Sequence, residues 1–427
     1  MLPQIKKSRK DFLNTFLLVL GYGAFICCFI LFLARAGFIQ QIPTETTLFH
    51  WDSGYYLSIV NNGYISKGHG NDNTGFFILF PLLWRLAHIG VVGICIINYV
   101  LFAFGFSLLT SIYKVNTTEK LLWLSVPTVY IMAIPYTESL FFLSMSITFY
   151  GIIKTKRWII WVGLILASLT RATSVFLLPA LLVMELIASQ RKVWYKVLLS
   201  YCLDYVIPIV SALAFFVWYQ YYSVGAWFPY VYHQQEYMGH KYSLPILPFT
   251  SMEGPRMLWF SALAMFCCLL ALIAAIKKGS LWLFKNRTEP DKLLTLSLIF
   301  LGITLYKTIF YNPTWSTNTT LTIGISRYAF ATPFFYVFLH YFTSRSVPYK
   351  LLDFILAIIL ANAVWFSCGA YLHIQYFLYF NFSTLIIFLY MYFADKSKTW
   401  PALVIMGMNS FFLILMFQQY LSGLYLE

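Results

Sequence analysis

Phe12–Leu33 is a run of 22 residues without a charge, and apolar runs near 20 residues recur to the end of the chain. This feature constrains the fold most. Lipid offers no partner to a free backbone N–H or C=O, so runs of this length must be helices that satisfy their own backbone. A β-barrel would instead alternate in segments of about 10 residues, and these runs are continuous. Only 10% of residues are charged and 60% are hydrophobic, against about 25% charged in soluble domains. The expected fold class is an all-α polytopic membrane protein, a single integral membrane domain over residues 1–427.

Apolar runs place spans at 12–36, 91–113, 120–135, 138–153, 157–170, 172–189, 197–222, 256–276, 292–310, 327–343, 350–368, 371–393 and 401–422, about 13 crossings by length. Segment 76–90 is apolar but holds Pro81, Arg85 and His88, and reads as an interfacial or re-entrant helix. Phe12–Leu33 is too long for the core of a cleaved signal peptide and reads as a retained first helix. The net charge of +14 would suggest nucleic acid in a soluble protein. Here most of the basic residues cluster in alternate short loops, including 6–10, 154–157 and 277–292. That is the positive-inside pattern, with the N-terminus inside and the C-terminus outside. Nucleic acid is therefore not an expected partner; the membrane is. The seven cysteines all fall in apolar runs and read as small buried hydrophobes, without disulfide or metal spacing.

The polar residues point to one side. Three outer segments have any size: 37–90, 223–255 and 311–326. On this topology Glu45, Asp52, Asp72, Glu138, Glu236, Glu253 and Glu427 lie on the outer face. Asp52 and Tyr56 are spaced i, i+4 and so share one helix face. His50, Trp51 and Tyr55 lie beside them. Asp52 is either a surface carboxylate in an aromatic belt or a general base. Arg171 and Arg327 break the positive-inside pattern. Each needs an anion, and phosphate matches the guanidinium fork; the alternative is a structural pair with an outer acid such as Glu138. Glu138 follows Pro135, which ends one helix, and would sit at the start of the next. His233-Gln234-Gln235-Glu236 would bind a sugar or an ion, or form a solvated loop.

These stretches carry a resemblance. WDSGYYLSIVNNGY (51–64) followed by FFILFPLLWRL (76–86) resembles the W-D-x-x-Y/F-Y/F motif region of the GPI mannosyltransferase II family and its bacterial relatives. This family belongs to the GT-C superfamily of membrane glycosyltransferases. IPYTESLFF, SLTRATSVFLLP and ISRYAFATPFF resemble three further family segments in the same order, from about residue 48 to 335. The resemblance implies a GT-C-like helical bundle with extracytoplasmic juxtamembrane helices. It implies an inverting transferase that moves a hexose, mannose first among candidates, from a polyprenyl-phosphate donor to a lipid-linked glycan or protein hydroxyl. Carried over by position, Asp52 is the catalytic base, and Arg171 and Arg327 hold the donor phosphate. His50, Trp51, Tyr55, Tyr56, Tyr136, Glu138, His233 and Gln234 are the substrate-binding candidates. HWDSG contains no DxD, so no metal ligand is assigned, and a divalent ion is an alternative rather than a requirement. The active site would face the extracytoplasmic or lumenal side, with a bacterial inner membrane placed ahead of an ER membrane. The competing class is a transporter or lipid-linked-sugar flippase, which would place charges near helix centres.

Overall fold

The computed structural model describes residues 9–66, 72–113, 115–189, 193–285, 291–313, 319–344, 350–369, 373–393 and 400–424. The chain is overwhelmingly helical. In chain order the helices are α1 (Arg9–Arg35), α2 (Asp52–Asn62), α3 (Leu79–Ala87), α4 (Val91–Ile112), α5 (Thr117–Leu124), α6 (Glu138–Lys154), α7 (Arg157–Thr170), α8 (Leu177–Ala188), α9 (Trp194–Tyr201) and α10 (Ile207–Val224). Then come α11 (Pro229–Tyr232), α12 (Pro255–Lys285), α13 (Lys292–Phe310), α14 (Ile325–Phe330), α15 (Pro333–Thr343), α16 (Leu351–Phe366), α17 (Ile374–Phe393) and α18 (Trp400–Leu421).

Six helices among the described residues are long and apolar enough to cross a membrane: Lys10–Arg35, Val91–Ile112, Trp194–Val224, Arg256–Ser280, Lys292–Phe310 and Ala402–Leu421. A seventh is possible where Pro127–Ala133 and α6 meet at 102°. The protein is therefore a helical membrane protein. Helix α1 leaves Leu13, Leu17, Phe25, Phe29 and Phe32 exposed along its length, an apolar surface that lipid can cover and water cannot.

Three expectations need correction. The span expected at 120–135 is not one helix. α5 stops at Leu124, and Pro127 opens a separate 3₁₀ turn to Ala133 before the 102° bend; proline supplies no N–H to continue the α ladder. The span at 327–343 is likewise cut in two before Pro333. Cys27, Cys28 and Cys202 are exposed rather than buried, while Cys95, Cys267, Cys268 and Cys368 are buried as expected. Cys27 and Cys28 lie on α1, whose outer face is apolar, and Cys202 opens the π turn Cys202–Val206. Helix α3, at 9 residues, is about 14 Å long and cannot span.

The chain forms two compact units. The first comprises Met1–Val175, Leu203–His233 and Asn409–Leu424; the second comprises Phe176–Cys202, Gln234–Met408 and Tyr425–Glu427. In the first, α1 packs on α4, α4 on α6, and α6 on α7. The α6 core is studded with hydroxyls, each bonded within its own helix: Ser144 to the Leu140 carbonyl at 2.7 Å, Ser146 to Phe142 at 2.9 Å and Thr148 to Ser144 at 3.0 Å. Small residues of this kind let membrane helices approach closely. Gly163 of α7 is one such point. A Cβ there would lie 2.3 Å from the Thr148 hydroxyl and 2.7 Å from the Ser144 carbonyl. Gly163→Leu is expected to lower stability by about 1–3 kcal/mol or more through overpacking, read as an earlier thermal melt of the detergent-solubilised protein.

In the second unit α12 packs against α13, α14, α16 and α17, and α13 also against α8 and α15. Phe300 stacks on Phe334 with ring centroids 3.9 Å apart. Lys292 of α13 bridges to Glu185 of α8 at 2.8 Å. A short antiparallel pairing joins β1 (His240–Tyr242) to β2 (Tyr311–Pro313), with Lys241 opposite Asn312.

Candidate functional site

Asp52 is the first residue of α2, so its carboxylate sits in the helix's first turn, where the aligned backbone dipoles favour negative charge. One turn on, Tyr56 points inward and is buried. Burial raises its pKa above the ordinary phenol range. The charges of Asp52 and Glu138 push it further up, and the Thr137 side chain and Arg171 oppose them. The residues that act on it come from three separate stretches, and the phenol stays protonated as a donor.

Each of those stretches has a local reason for its place. The bend before α6 is held by Asn98 of α4, whose side-chain amide donates to the carbonyls of Ile134 at 2.6 Å and Tyr136 at 2.9 Å. Ser139 donates back to the Met132 carbonyl at 2.8 Å. This turn puts Glu138 at the first position of α6, fully buried. Arg171 follows the last residue of α7 in extended conformation. Its Nη1 lies 2.9 Å from Glu138 Oε1, with side-chain exposures of 8% and 0%. Such burial makes the pair costly to break, because each charge offsets the desolvation of the other. The Arg171 guanidinium also lies 5.9 Å from the centre of the Phe141 ring. The structural pair weighed from the sequence is present.

A second wing adjoins through Tyr55. Its ring stacks on Phe76 at 4.7 Å, and the His233 ring meets both edge-on. His233 Nδ1 donates to Asp72 Oδ1 at 2.7 Å, and both side chains are buried. The same carboxylate oxygen accepts from Thr74 N at 2.9 Å and Thr74 Oγ1 at 2.6 Å. Burial raises the Tyr55 phenol, and the charges of Asp52 and then Asp72 raise it further. Asp72 belongs to this group although the sequence singled it out only as one outer acid among several. Its signal was the Asp72-Asn73-Thr74 turn, in which an aspartate commonly bonds the amide two residues on.

Of the residues expected at the site, His50, Trp51, Asp52, Tyr55, Tyr56, Tyr136, Glu138, Arg171 and His233 all belong to the first unit. The Tyr136 hydroxyl donates to the His50 carbonyl at 3.2 Å. Gln234 and Arg327 belong to the second unit. Gln234 is half-buried in the single π turn His233–Tyr237, and Arg327 is buried in α14. Within the outer segment 311–326, residues 314–318 lie outside the described residues, as does His69. Glu45 acts elsewhere: its carboxylate accepts from the backbone N–H of Val91 at 2.6 Å and of Val92 at 3.2 Å, capping α4. Among the described residues, no three His, Cys, Asp or Glu side chains gather as a metal site.

The arrangement combines a half-buried carboxylate, protonated tyrosine hydroxyls, a buried arginine fixed by a glutamate and a histidine oriented by an aspartate. Comparison with family models, with curated proteins and with solved structures returned no match.

Proposed function

We propose that this protein is an inverting membrane glycosyltransferase that moves a hexose, mannose first among candidates, from a polyprenyl-phosphate donor to a hydroxyl acceptor. What supports the reading is the buried ion pair of Arg171 with Glu138, in the same unit as helix α2, which carries Asp52 at its first position. A base and a phosphate-matching cation are the two groups this transfer requires. Asp52 takes the proton from the acceptor hydroxyl as that oxygen bonds to the anomeric carbon. The bond from that carbon to the phosphate oxygen breaks, and its electron pair leaves with the lipid phosphate. Arg171 meets the charge that develops there, held in orientation by Glu138. The leaving group is already activated, so the chemistry calls for no nucleotide-binding motif. A donor whose lipid stays in the bilayer suits a site at the membrane boundary. The GT-C-like bundle with about 13 crossings, an extracytoplasmic site and a bacterial inner membrane belong to the same reading.

The test is incubation of purified protein with a synthetic polyprenyl-phosphate mannose and a lipid-linked or peptide hydroxyl acceptor. Mannosylated product with release of polyprenyl phosphate is the expected result. Movement of the intact lipid-linked sugar across a proteoliposome, with no covalent product, would instead identify a flippase. The 102° bend ahead of Glu138 is the observation that keeps that second reading in view.

A further inference from the structure

We infer that the end of α18 is a working part of the site, a clasp that positions Asp52; this rests on the reading of Asp52 as the base. The clasp begins with a strained turn. Ser53 N donates to the His50 carbonyl at 3.2 Å, closing a four-residue turn with Trp51 and Asp52 at its corners. Trp51 there has φ 54° and ψ −118°, the conformation of the first corner of a type II′ turn, which normally takes glycine. A tryptophan stays in it only where its surroundings over-determine it.

Those surroundings come from the far end of the chain. The Trp51 indole Nε1 donates to the Gly423 carbonyl at 2.9 Å. The Tyr420 hydroxyl donates to the Leu48 carbonyl at 2.8 Å, and its side chain is fully buried. The Gln418 amide donates to the Gln41 carbonyl at 2.8 Å and accepts from the Gln41 N–H at 3.3 Å. Three contacts thus fix the strand of chain leading into Asp52. Helix α18 ends in a form suited to this. Gly423 has φ +84°; its N–H bonds to the Tyr420 carbonyl and the Leu424 N–H to the Gln419 carbonyl. That is the Schellman pattern, in which glycine takes the left-handed position. It turns the Gly423 carbonyl out of the helix, where the indole meets it. Trp51 and Tyr420 are accordingly positioning residues: they set where the Asp52 carboxylate points.

The experiment uses the full-length purified protein and two readouts. Trp51→Phe removes the indole donor and keeps a ring, and Tyr420→Phe removes one fully buried hydroxyl. Each is expected to lower kcat for mannosyl transfer by about 10-fold or more with KM for the donor little changed, as small misplacement of a reacting group does. In parallel, the rate at which a water-soluble carbodiimide and an amine label Asp52 is followed by mass spectrometry, and is expected to change several-fold in both variants. Ser189→Ala, at the end of α8 and outside the clasp, is expected to match wild type in both readouts. Wild-type labelling of Asp52 in both variants overturns the inference, whether or not kcat falls. If the wild-type protein transfers no sugar, the proposed function fails, and the labelling alone decides whether the clasp positions Asp52. If one variant does not fold, the other decides.

Discussion

Asp52→Asn is expected to reduce mannosyl transfer by about 10²–10⁴-fold, the range that a positioned general base supplies, while the protein folds as before. Asparagine has the same shape and still occupies the first turn of α2. It loses the negative charge that the helix dipole favours, at a cost of about 0.3–1 kcal/mol, which is small against the loss of function. What it cannot do is accept the acceptor's proton. Initial rates under saturating donor, with the elution profile and melting midpoint measured alongside, separate the two effects. Transfer at the wild-type rate in a folded Asp52→Asn protein would remove Asp52 as the base.

The second large effect is on stability. Arg171→Leu leaves the Glu138 carboxylate at 0% exposure without its cation, and Glu138→Gln leaves the guanidinium at 8% exposure without its anion. Removing one partner of a buried pair costs about 3–5 kcal/mol, so either single variant is expected to melt well below wild type. The double variant is expected to lose less than the sum of the two, because it strands neither charge. Thermal unfolding in detergent, followed on all four proteins, reads the coupling. Strict additivity would mean that the two side chains do not depend on one another. All three variants are also expected to be impaired in transfer, and the double variant separates stability from chemistry: recovery of stability without recovery of rate marks the Arg171–Glu138 pair as needed for the chemistry.

Much of this was legible in the residues themselves. Local patterns survive into the structure because they depend on neighbours in sequence. The i, i+4 spacing of Asp52 and Tyr56 became one turn of α2, and Pro135 ahead of Glu138 became a helix start. Pairings over distance were out of reach. Glu138 was one possible partner of Arg171 among several, and nothing local to Asp72 names His233, 161 residues away. The break between α5 and the 3₁₀ turn was missed for another reason. An apolar average over 120–135 is insensitive to one proline, whereas the hydrogen-bond ladder is not. The strained corner at Trp51 has no sequence signature, since its cause lies in groups near residue 420.

The make-up of the first unit also sets a timetable. Its residues 409–424 leave the ribosome after everything up to Met408 has been made. Domains in long chains usually settle in the order of synthesis, but this one has to wait for its final piece. A nascent chain stopped short of that piece would carry Asp52, Glu138 and Arg171 without the groups that hold Gln41, Leu48 and Trp51 in place.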